Sequence, residues 1–340
     1  MTGRKAGRIS PALIVDWLES HQIALYLLAL LVGGAFGLSA PSTSASLERA
    51  INPTLAVLLY ATFLGVPFAA LGSSLKDTRF LGGALGLNFV VVPIVVFGLT
   101  RFVASDKPVL IGALLVLLCP CVDYVMVFTK LAGGAHERLL ASAPLLMFAQ
   151  MLLLPVYLYL FVGSDLSDIV EIRPFLEALI VLIVIPLAVA GLTQALAERT
   201  RLGRTVMRSM QAAMVPLMML VLAIVVGSQI SAVKSEVSSL LGVAAIYAAF
   251  LVVMAVLGVG VSRLLRLDTA GSRALTFSGA TRNSLVVLPL ALALPAGYEI
   301  AAVVVVTQTL VELIGMVTYV RLIPRVLPSQ SKEEVGAAFD

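Results

Sequence analysis

Long runs of apolar residues alternate with short polar stretches along almost the whole chain. A helix that crosses the hydrocarbon core of a bilayer needs about 20 predominantly apolar residues. The pattern predicts ten such helices, called spans 1 to 10 below, over residues 22–39, 52–71, 80–102, 108–131, 139–161, 173–194, 211–232, 240–264, 273–295 and 298–322. The connections are short, and the polar tails are residues 1–20 and 325–340.

Composition agrees with this pattern. The 340 residues are 60% hydrophobic and 12% charged, with a mean hydropathy of +1.06. A soluble domain carries about 25% charged residues, so this chain is expected to be an integral membrane protein. The sequence has no Walker motif, glycine-rich nucleotide loop or HExxH motif, which argues against an ATP-driven pump and a membrane protease. We expect neither an enzyme nor a cofactor, and no nucleic-acid partner.

The distribution of Lys and Arg predicts the orientation, because cytoplasmic loops carry an excess of these residues. If the N-terminus is inside, the inner loops and tails hold Arg4, Lys5, Arg8, Lys76, Arg79, Lys130, Arg138, Arg199, Arg201, Arg204, Arg208, Arg263, Arg266, Arg273, Arg321, Arg325 and Lys332. The outer loops hold only Arg49, Arg101, Lys107, Arg173 and Lys234. Both termini are therefore predicted to be cytoplasmic.

Ten spans can form two inverted repeats of five helices, over about 22–161 and 173–322. Such repeats place a binding site between discontinuous helices at corresponding positions of the two halves. Span 4 is interrupted at CPCVD, and its counterpart, span 9, at SGATRNS (278–284). Both interruptions carry polar groups at membrane depth, where a broken backbone needs protein or water to satisfy it. The prediction is an all-α transporter fold in which helices 4 and 9 are broken and cross.

Ionisable residues inside spans are few, and each costs roughly 2.5–3.5 kcal/mol on insertion scales. Glu312 is either a protonated acid that bonds a neighbouring helix or the carrier of a coupling proton. Asp123 and Arg282 are either a structural ion pair between the broken helices or parts of separate sites, with Arg282 facing an anionic substrate. Asn283 can donate and accept hydrogen bonds, which suits a substrate or an unwound backbone.

Both cysteines lie in the interruption of span 4. A membrane cysteine is usually a small apolar filler, but Cys121 beside a helix break can face a site, and thiolates select soft metals and metalloids. Cys119 is a candidate second thiol. On a regular helix the two side chains would point about 200° apart, so they can chelate together only if Pro120 unwinds the turn.

Several short motifs, in order along the chain, resemble those of the arsenite-efflux (arsenical-resistance) transporters, within the bile acid:sodium symporter superfamily. Span 3 has LNFVVVPIVVFGL, and span 6 has IPLAVAGLTQ. CVDYVMVFTKLAGG keeps the family's spacing from its cysteine to a Leu-Ala-x-Gly turn, Gln150 matches a glutamine of span 5, and span 10 has LVELIGM. The resemblance covers spans 2 to 10.

The resemblance implies export of trivalent arsenic in exchange for protons, with Cys121 as the essential thiol and Glu312 as the essential acid. Asn88 and Asn283 would hold the remaining hydroxyls of the substrate. By the same analogy, spans 3–5 and 8–10 would move against the other spans, in the cytoplasmic membrane of a bacterium.

Two positions depart from the family's pattern. Pro120 stands where the family usually has Arg, and span 9 reads Arg282, Asn283, Ser284, Leu285 where the family has Asn-Asn-Phe-Glu. Span 9 is equally similar to the Gly…Gln-Asn-Ser stretch of sodium-coupled anion symporters. The alternative function is therefore sodium-coupled import of an organic anion, with Arg282 in the anion site and sodium near Asp123 and Asn283. A receptor or scaffold without transport would need neither the broken helices nor Glu312 inside a span, so this function is disfavoured.

Overall fold

The computed structural model of the chain describes residues 15, 17–18, 20–65, 77–122, 125–163, 180–233, 237–295 and 297–328. These residues are nearly all helical, and no strand occurs among them. The helices are α1 (Gln22–Ser39), α2 (Ser44–Leu64), α3 (Thr78–Gly86), α4 (Val92–Thr100), α5 (Lys107–Leu117), α6 (Val125–Leu131), α7 (His136–Val162), α8 (Ile185–Arg199), α9 (Arg201–Val233), α10 (Val237–Leu264), α11 (Thr269–Ala280), α12 (Ser284–Leu292) and α13 (Ile300–Val326).

Short non-α segments adjoin four of these helices. Two 3₁₀ turns, Pro41–Thr43 and Arg101–Val103, precede α2 and follow α4. Two π-helical turns occur: Leu87–Val91 joins α3 to α4, and Ile180–Val184 precedes α8. A π-helical turn interrupts the regular hydrogen-bond ladder and is frequent at functional sites.

The chain divides into two compact units. The first contains residues 1–65 and 185–231, and therefore α1, α2, α8 and most of α9. Its α1 and α2 meet at an angle of 104°. A Cβ on Gly33 of α1 would lie 2.7 Å from the Cα of Ala223 in α9, so only glycine permits this approach. Small residues allow membrane helices to pack this closely.

The second unit contains residues 66–184 and 232–340. Its long helices α7, α10 and α13 pack with the shorter α3–α6, α11 and α12. A Cβ on Gly112 of α5 would lie 2.8 Å from the carbonyl oxygen of Ala301 in α13, so these backbones are in close contact. All candidate site residues that the structure describes belong to this unit.

Five helical segments of the described residues are long and apolar enough to cross a membrane, and α1 and α2 together count as a sixth if a bent pair is one span. The chain is therefore a helical, multi-pass membrane protein. The ten-span inverted repeat stays a prediction. Spans 4 and 9 are each interrupted, so neither contains one long helix, and residues 173–179 of span 6 lie outside the described part.

One arginine that the orientation argument counted with the inner loops is buried among the described residues. Arg273 is in the first turns of α11 and only 8% exposed. Its guanidinium donates to the carbonyl oxygens of Leu327 at 2.8 Å and Ala132 at 2.8 Å. Arg273 therefore joins the end of α13 to the turn after α6, and its buried charge is satisfied by main-chain oxygens.

Candidate functional site

The two predicted interruptions are observed, and they meet. Pro120 and Arg282 form an isolated antiparallel backbone bridge. The amide of Cys121 donates to the carbonyl of Thr281 at 3.1 Å, and the amide of Asn283 donates to the carbonyl of Cys119 at 2.8 Å. The two unwound segments thus satisfy each other's main-chain groups in a region without bulk water. We call residues 118–122 and 281–283 the first and second break, and their meeting point the crossing.

The local sequence explains both breaks. Proline has no amide hydrogen and disfavours helical geometry in the preceding residue, so Pro120 ends α5 shortly after Leu117. In the second break, Thr281 has extended geometry, and its hydroxyl donates to the carbonyl of Phe277 at 2.9 Å. Asn283 then caps α12, because its Oδ1 accepts the amide hydrogen of Val286 at 3.3 Å. Asparagine is among the preferred residues for this capping role.

Arg282 is fully buried at the crossing. Its Nη2 donates to the carbonyl oxygens of Ser278 at 2.9 Å and Gly279 at 2.7 Å, and its Nη1 donates to the carbonyl oxygen of Leu117 at 3.3 Å. The guanidinium carbon lies 5.4 Å from the ring centre of Phe250 in α10, a cation–π distance. The side chain therefore binds the last carbonyls of both α5 and α11.

Asn88 is a side-chain partner of Arg282. It lies in the π-helical turn Leu87–Val91, is fully buried, and accepts from Arg282 Nη2 through Oδ1 at 2.8 Å. Its Nδ2 donates to the carbonyl of Ala84 and to Ser278 Oγ, each at 3.0 Å. The amide of Asn88 is thus engaged at both ends by protein groups.

Glu312 of α13 is also fully buried and reaches the same break. Its Oε2 accepts the main-chain amide of Arg282 at 2.8 Å and the side-chain amide of Gln308, one helical turn earlier. Arg282 lies in the break, where its main-chain amide does not donate to a carbonyl of a regular helix. The carboxyl of Glu312 accepts this hydrogen bond instead. Gln308 belongs to the same helix as Glu312. Its spacing of four residues from Glu312 was the signal for the bond within α13.

Asn283 has a donor that faces away from its capping bond. Because Oδ1 accepts from Val286, Nδ2 points to the other side of the amide, and it meets no acceptor among the residues that the structure describes. Asn283 is only 2% exposed. The next residue, Ser284, accepts a hydrogen bond from Thr309 at 2.7 Å. Sequence reasoning missed the pair of Ser284 and Thr309, because serine and threonine are common in membrane helices and nothing in the sequence links these two positions.

Neither cysteine forms a disulfide, and each is 1% exposed. Cys119 and Cys121 lie on either side of Pro120 in the unwound segment, so the condition for joint chelation, unwinding of this turn, is met. In extended backbone, residues two apart lie on the same face. Among the described residues, no group of three or more His, Cys, Asp or Glu side chains could hold a metal ion.

Asp123 lies outside the described residues, so its predicted ion pair with Arg282 and its place near sodium stay predictions. Cys119, Cys121, Asn88, Arg282, Asn283 and Glu312 are all described, and all belong to the second unit. The backbone bridge and the bonds of Arg282 join these six residues to the crossing or to its direct partners.

The sequence matches the model of the Sodium Bile acid symporter family over residues 52–236. This match covers more than half of the chain, including Asn88 and both cysteines, and ends before Arg282 and Glu312. No curated protein matches the sequence. Members of the matched family are membrane transporters, which agrees with the helical architecture and the crossing of two broken helices. The chain belongs to the Sodium Bile acid symporter family.

Proposed function

We propose that this protein is a secondary transporter that exports trivalent arsenic, as arsenite, in exchange for protons. It would act in the cytoplasmic membrane of a bacterium, with both termini in the cytoplasm. One observation carries the proposal. The backbone bridge brings the unwound segment of Cys121 against Asn283, whose buried Nδ2 meets no acceptor in the described part of the chain. A thiol and a free amide donor suit a soft metalloid that carries hydroxyl groups.

In the proposed binding step, As(OH)3 reaches the crossing from the cytoplasm. An arsenic–oxygen bond breaks and an arsenic–sulfur bond to Cys121 forms, while the thiol proton and the departing hydroxide leave as water. The Nδ2 of Asn283 donates to a remaining hydroxyl. Cys119, on the same unwound segment, is the candidate second thiol. Asn88, which we expected to be a second hydroxyl ligand, is engaged by Arg282 and Ser278, and we propose that it positions Arg282.

Glu312 is the proposed proton carrier. Its carboxyl is fully buried and bonded to the main chain of the second break, so a change in its protonation alters a group that holds the crossing together. In the proposed cycle, Glu312 takes up a proton from outside and releases it to the cytoplasm. The binding of arsenite and the release of the proton are then coupled through the same backbone segment.

Alternating access requires a part of the protein that moves. The second compact unit contains spans 3–5 and 8–10, the same set that the superfamily resemblance assigns to movement. The described site residues are at most 2% exposed, so a substrate reaches them only after a conformational change. We propose that this unit carries the site as one body between the two sides of the membrane.

The alternative is sodium-coupled import of an organic anion, and the family match favours it. It requires Arg282 to bind a carboxylate or sulfonate. The guanidinium, however, already bonds three carbonyl oxygens and Asn88, and Phe250 covers one face. The substitution Arg282→Gln separates the two functions, because it lowers anion affinity in an importer and lowers mainly stability in an arsenite exporter.

The decisive measurement is arsenite accumulation in everted membrane vesicles with an acid interior and no sodium. We expect accumulation that a protonophore abolishes, and that Cys121→Ala abolishes while the variant stays folded. Cys119→Ala removes the other thiol of the same segment, and its transport shows whether this candidate second ligand is also required. Full transport by the Cys121→Ala variant would exclude this thiol as the ligand. If folded protein accumulates no arsenite, uptake of carboxylates with and without sodium tests the alternative.

A further inference from the structure

The oxygen atoms around Arg282 surround one nitrogen as they would surround a small ion. Nη2 carries two hydrogens, yet three oxygens lie within 2.9 Å of it: the carbonyl oxygens of Ser278 and Gly279 and the Oδ1 of Asn88. A fourth, the carbonyl oxygen of Leu117, lies 3.3 Å from Nη1. A guanidinium offers its hydrogens in a fixed planar fork, so a cluster with more oxygens than hydrogens is organised by positive charge.

The origin of these oxygens is as informative as their number. The carbonyls of Ser278 and Gly279 belong to the last turn of α11, and that of Leu117 ends α5. The C-terminus of a helix carries about half a negative charge, so two negative helix ends meet at the crossing. In transporters with broken helices, such ends and unwound carbonyls are the groups that coordinate a coupling cation. In this protein the positive charge at that place is the guanidinium of Arg282.

We propose that Arg282 is a built-in cation that occupies the place of a coupling sodium ion at the crossing. The side chain neutralises the two helix ends permanently, so the crossing binds no sodium and coupling falls to another group. This inference deepens the proposed function, because it accounts for proton coupling through Glu312 in a family named for sodium. It also predicts a latent cation site, which removal of the guanidinium exposes.

The ligand set identifies the class of cation. All four groups are neutral oxygens, which prefer hard cations over soft ones. A divalent ion such as Ca²⁺ is held by several carboxylates, and the one described carboxyl at the crossing, Glu312, is bonded to the amide of Arg282. A single positive charge, the charge of the guanidinium itself, therefore balances this site. Replacement by glutamine removes the charge and adds one more neutral oxygen.

The test uses the purified full-length protein and its Arg282→Gln variant, without arsenite. Thermal unfolding is followed in sodium chloride and in choline chloride of equal ionic strength, and binding of radioactive sodium is measured at equilibrium. We expect the unchanged protein to unfold at one temperature in both salts and to bind no sodium saturably. The variant is expected to bind sodium saturably and to unfold about 4 °C or more higher in sodium than in choline.

Two results overturn the inference. One is a folded Arg282→Gln variant that binds no sodium and unfolds at the same temperature in both salts. The other is saturable sodium binding to the unchanged protein that Asn88→Ala abolishes, since sodium would then share the crossing with Arg282. If the glutamine variant cannot be purified in either salt, Arg282→Lys decides. Its ammonium supplies a built-in charge, so a lysine variant that folds only in sodium also overturns the inference.

The sodium assay and the arsenite assay fail independently. Loss of the sodium effect with intact proton-driven arsenite export removes only the built-in cation. Conversely, a sodium site in the glutamine variant together with no arsenite transport by the unchanged protein removes the proposed substrate and leaves the role of Arg282 standing.

Discussion

The first and second breaks meet in one backbone bridge, but different groups hold them. The second break is stabilised by its own side chains: Thr281 bonds back to α11, Arg282 binds the end of α11, and Asn283 caps α12. The first break contributes a proline without an amide hydrogen and two thiols, which are weak hydrogen-bonding groups. Its helix-end carbonyl, Leu117, is bonded by Arg282 from the second break.

This difference indicates that the second break mainly stabilises the fold and that the first break is available to bind a substrate. A segment whose side chains satisfy its own backbone is costly to change, because each loss leaves a buried polar group without a partner. A segment held from outside can keep its side chains for a substrate. We therefore expect substitutions in the second break to lower the free energy of unfolding, and substitutions in the first break to lower transport with little effect on stability.

The largest effect is expected for Arg282→Met, which leaves the carbonyls of Leu117, Ser278 and Gly279 without their donor. We expect a loss of at least about 3 kcal/mol in the free energy of unfolding, because several buried acceptors lose a charged partner at once. Unfolding in mixed micelles, in sodium-free buffer, measures it. Arg321→Met, on an exposed position of α13, is the control and should cost less than about 0.5 kcal/mol. Equal losses in both variants would contradict a special role for Arg282.

The second effect concerns Glu312. Glu312→Leu removes the acceptor of the Arg282 amide and of the Gln308 side chain, so we expect a loss of about 1–3 kcal/mol. Glu312→Gln keeps an acceptor oxygen and should remain close to the unchanged protein in stability, while it loses proton-driven arsenite accumulation. The paired variants distinguish a structural acid from a proton carrier. A glutamine variant that still accumulates arsenite against a gradient would show that Glu312 carries no proton.

A smaller effect is expected at the cap of α12. Asn283→Ala removes the acceptor for the amide of Val286, at a cost of about 1 kcal/mol. Asn283→Ser keeps a capping oxygen but removes the Nδ2 donor, so it should preserve stability and still weaken arsenite transport. Unfolding and the concentration dependence of transport are measured side by side. If the Asn283→Ser variant retains both stability and arsenite transport, Asn283 is a cap and not a substrate ligand.

The smallest effect on stability is expected in the first break. Cys119→Ala deletes one buried atom, which costs about 0.8 kcal/mol or less by analogy with a buried methylene group. No described hydrogen bond depends on this side chain, because Cys119 joins the crossing through its carbonyl oxygen. A loss above 2 kcal/mol in the same unfolding experiment would mean that the two breaks are equally structural, and the comparison would fail.

Much of this architecture was predictable from the sequence. Apolar length predicted the membrane helices, since the hydrocarbon core sets how many residues a helix needs. Pro120 predicted the first break through its missing amide hydrogen, and the polar run around Gly279 predicted the second. The matching order of spans 4 and 9 predicted that the breaks lie together. Cys121, Arg282, Asn283 and Glu312 stood out because polar residues inside membrane spans are few.

The partners of these residues were decided by tertiary structure alone. Arg282 was expected to meet Asp123 or an anionic substrate. The structure shows it bound to the carbonyls at the ends of α5 and α11 and to Asn88, while its pairing with Asp123, outside the described residues, stays a prediction. No residue type in the sequence marks these oxygens, because every residue has a carbonyl group. A carbonyl becomes available only where a helix stops, and it attracts a cation only where two such ends meet. The sequence by itself therefore determined which polar groups enter the membrane. The crossing of two chain segments decided which hydrogen-bond partners these groups have.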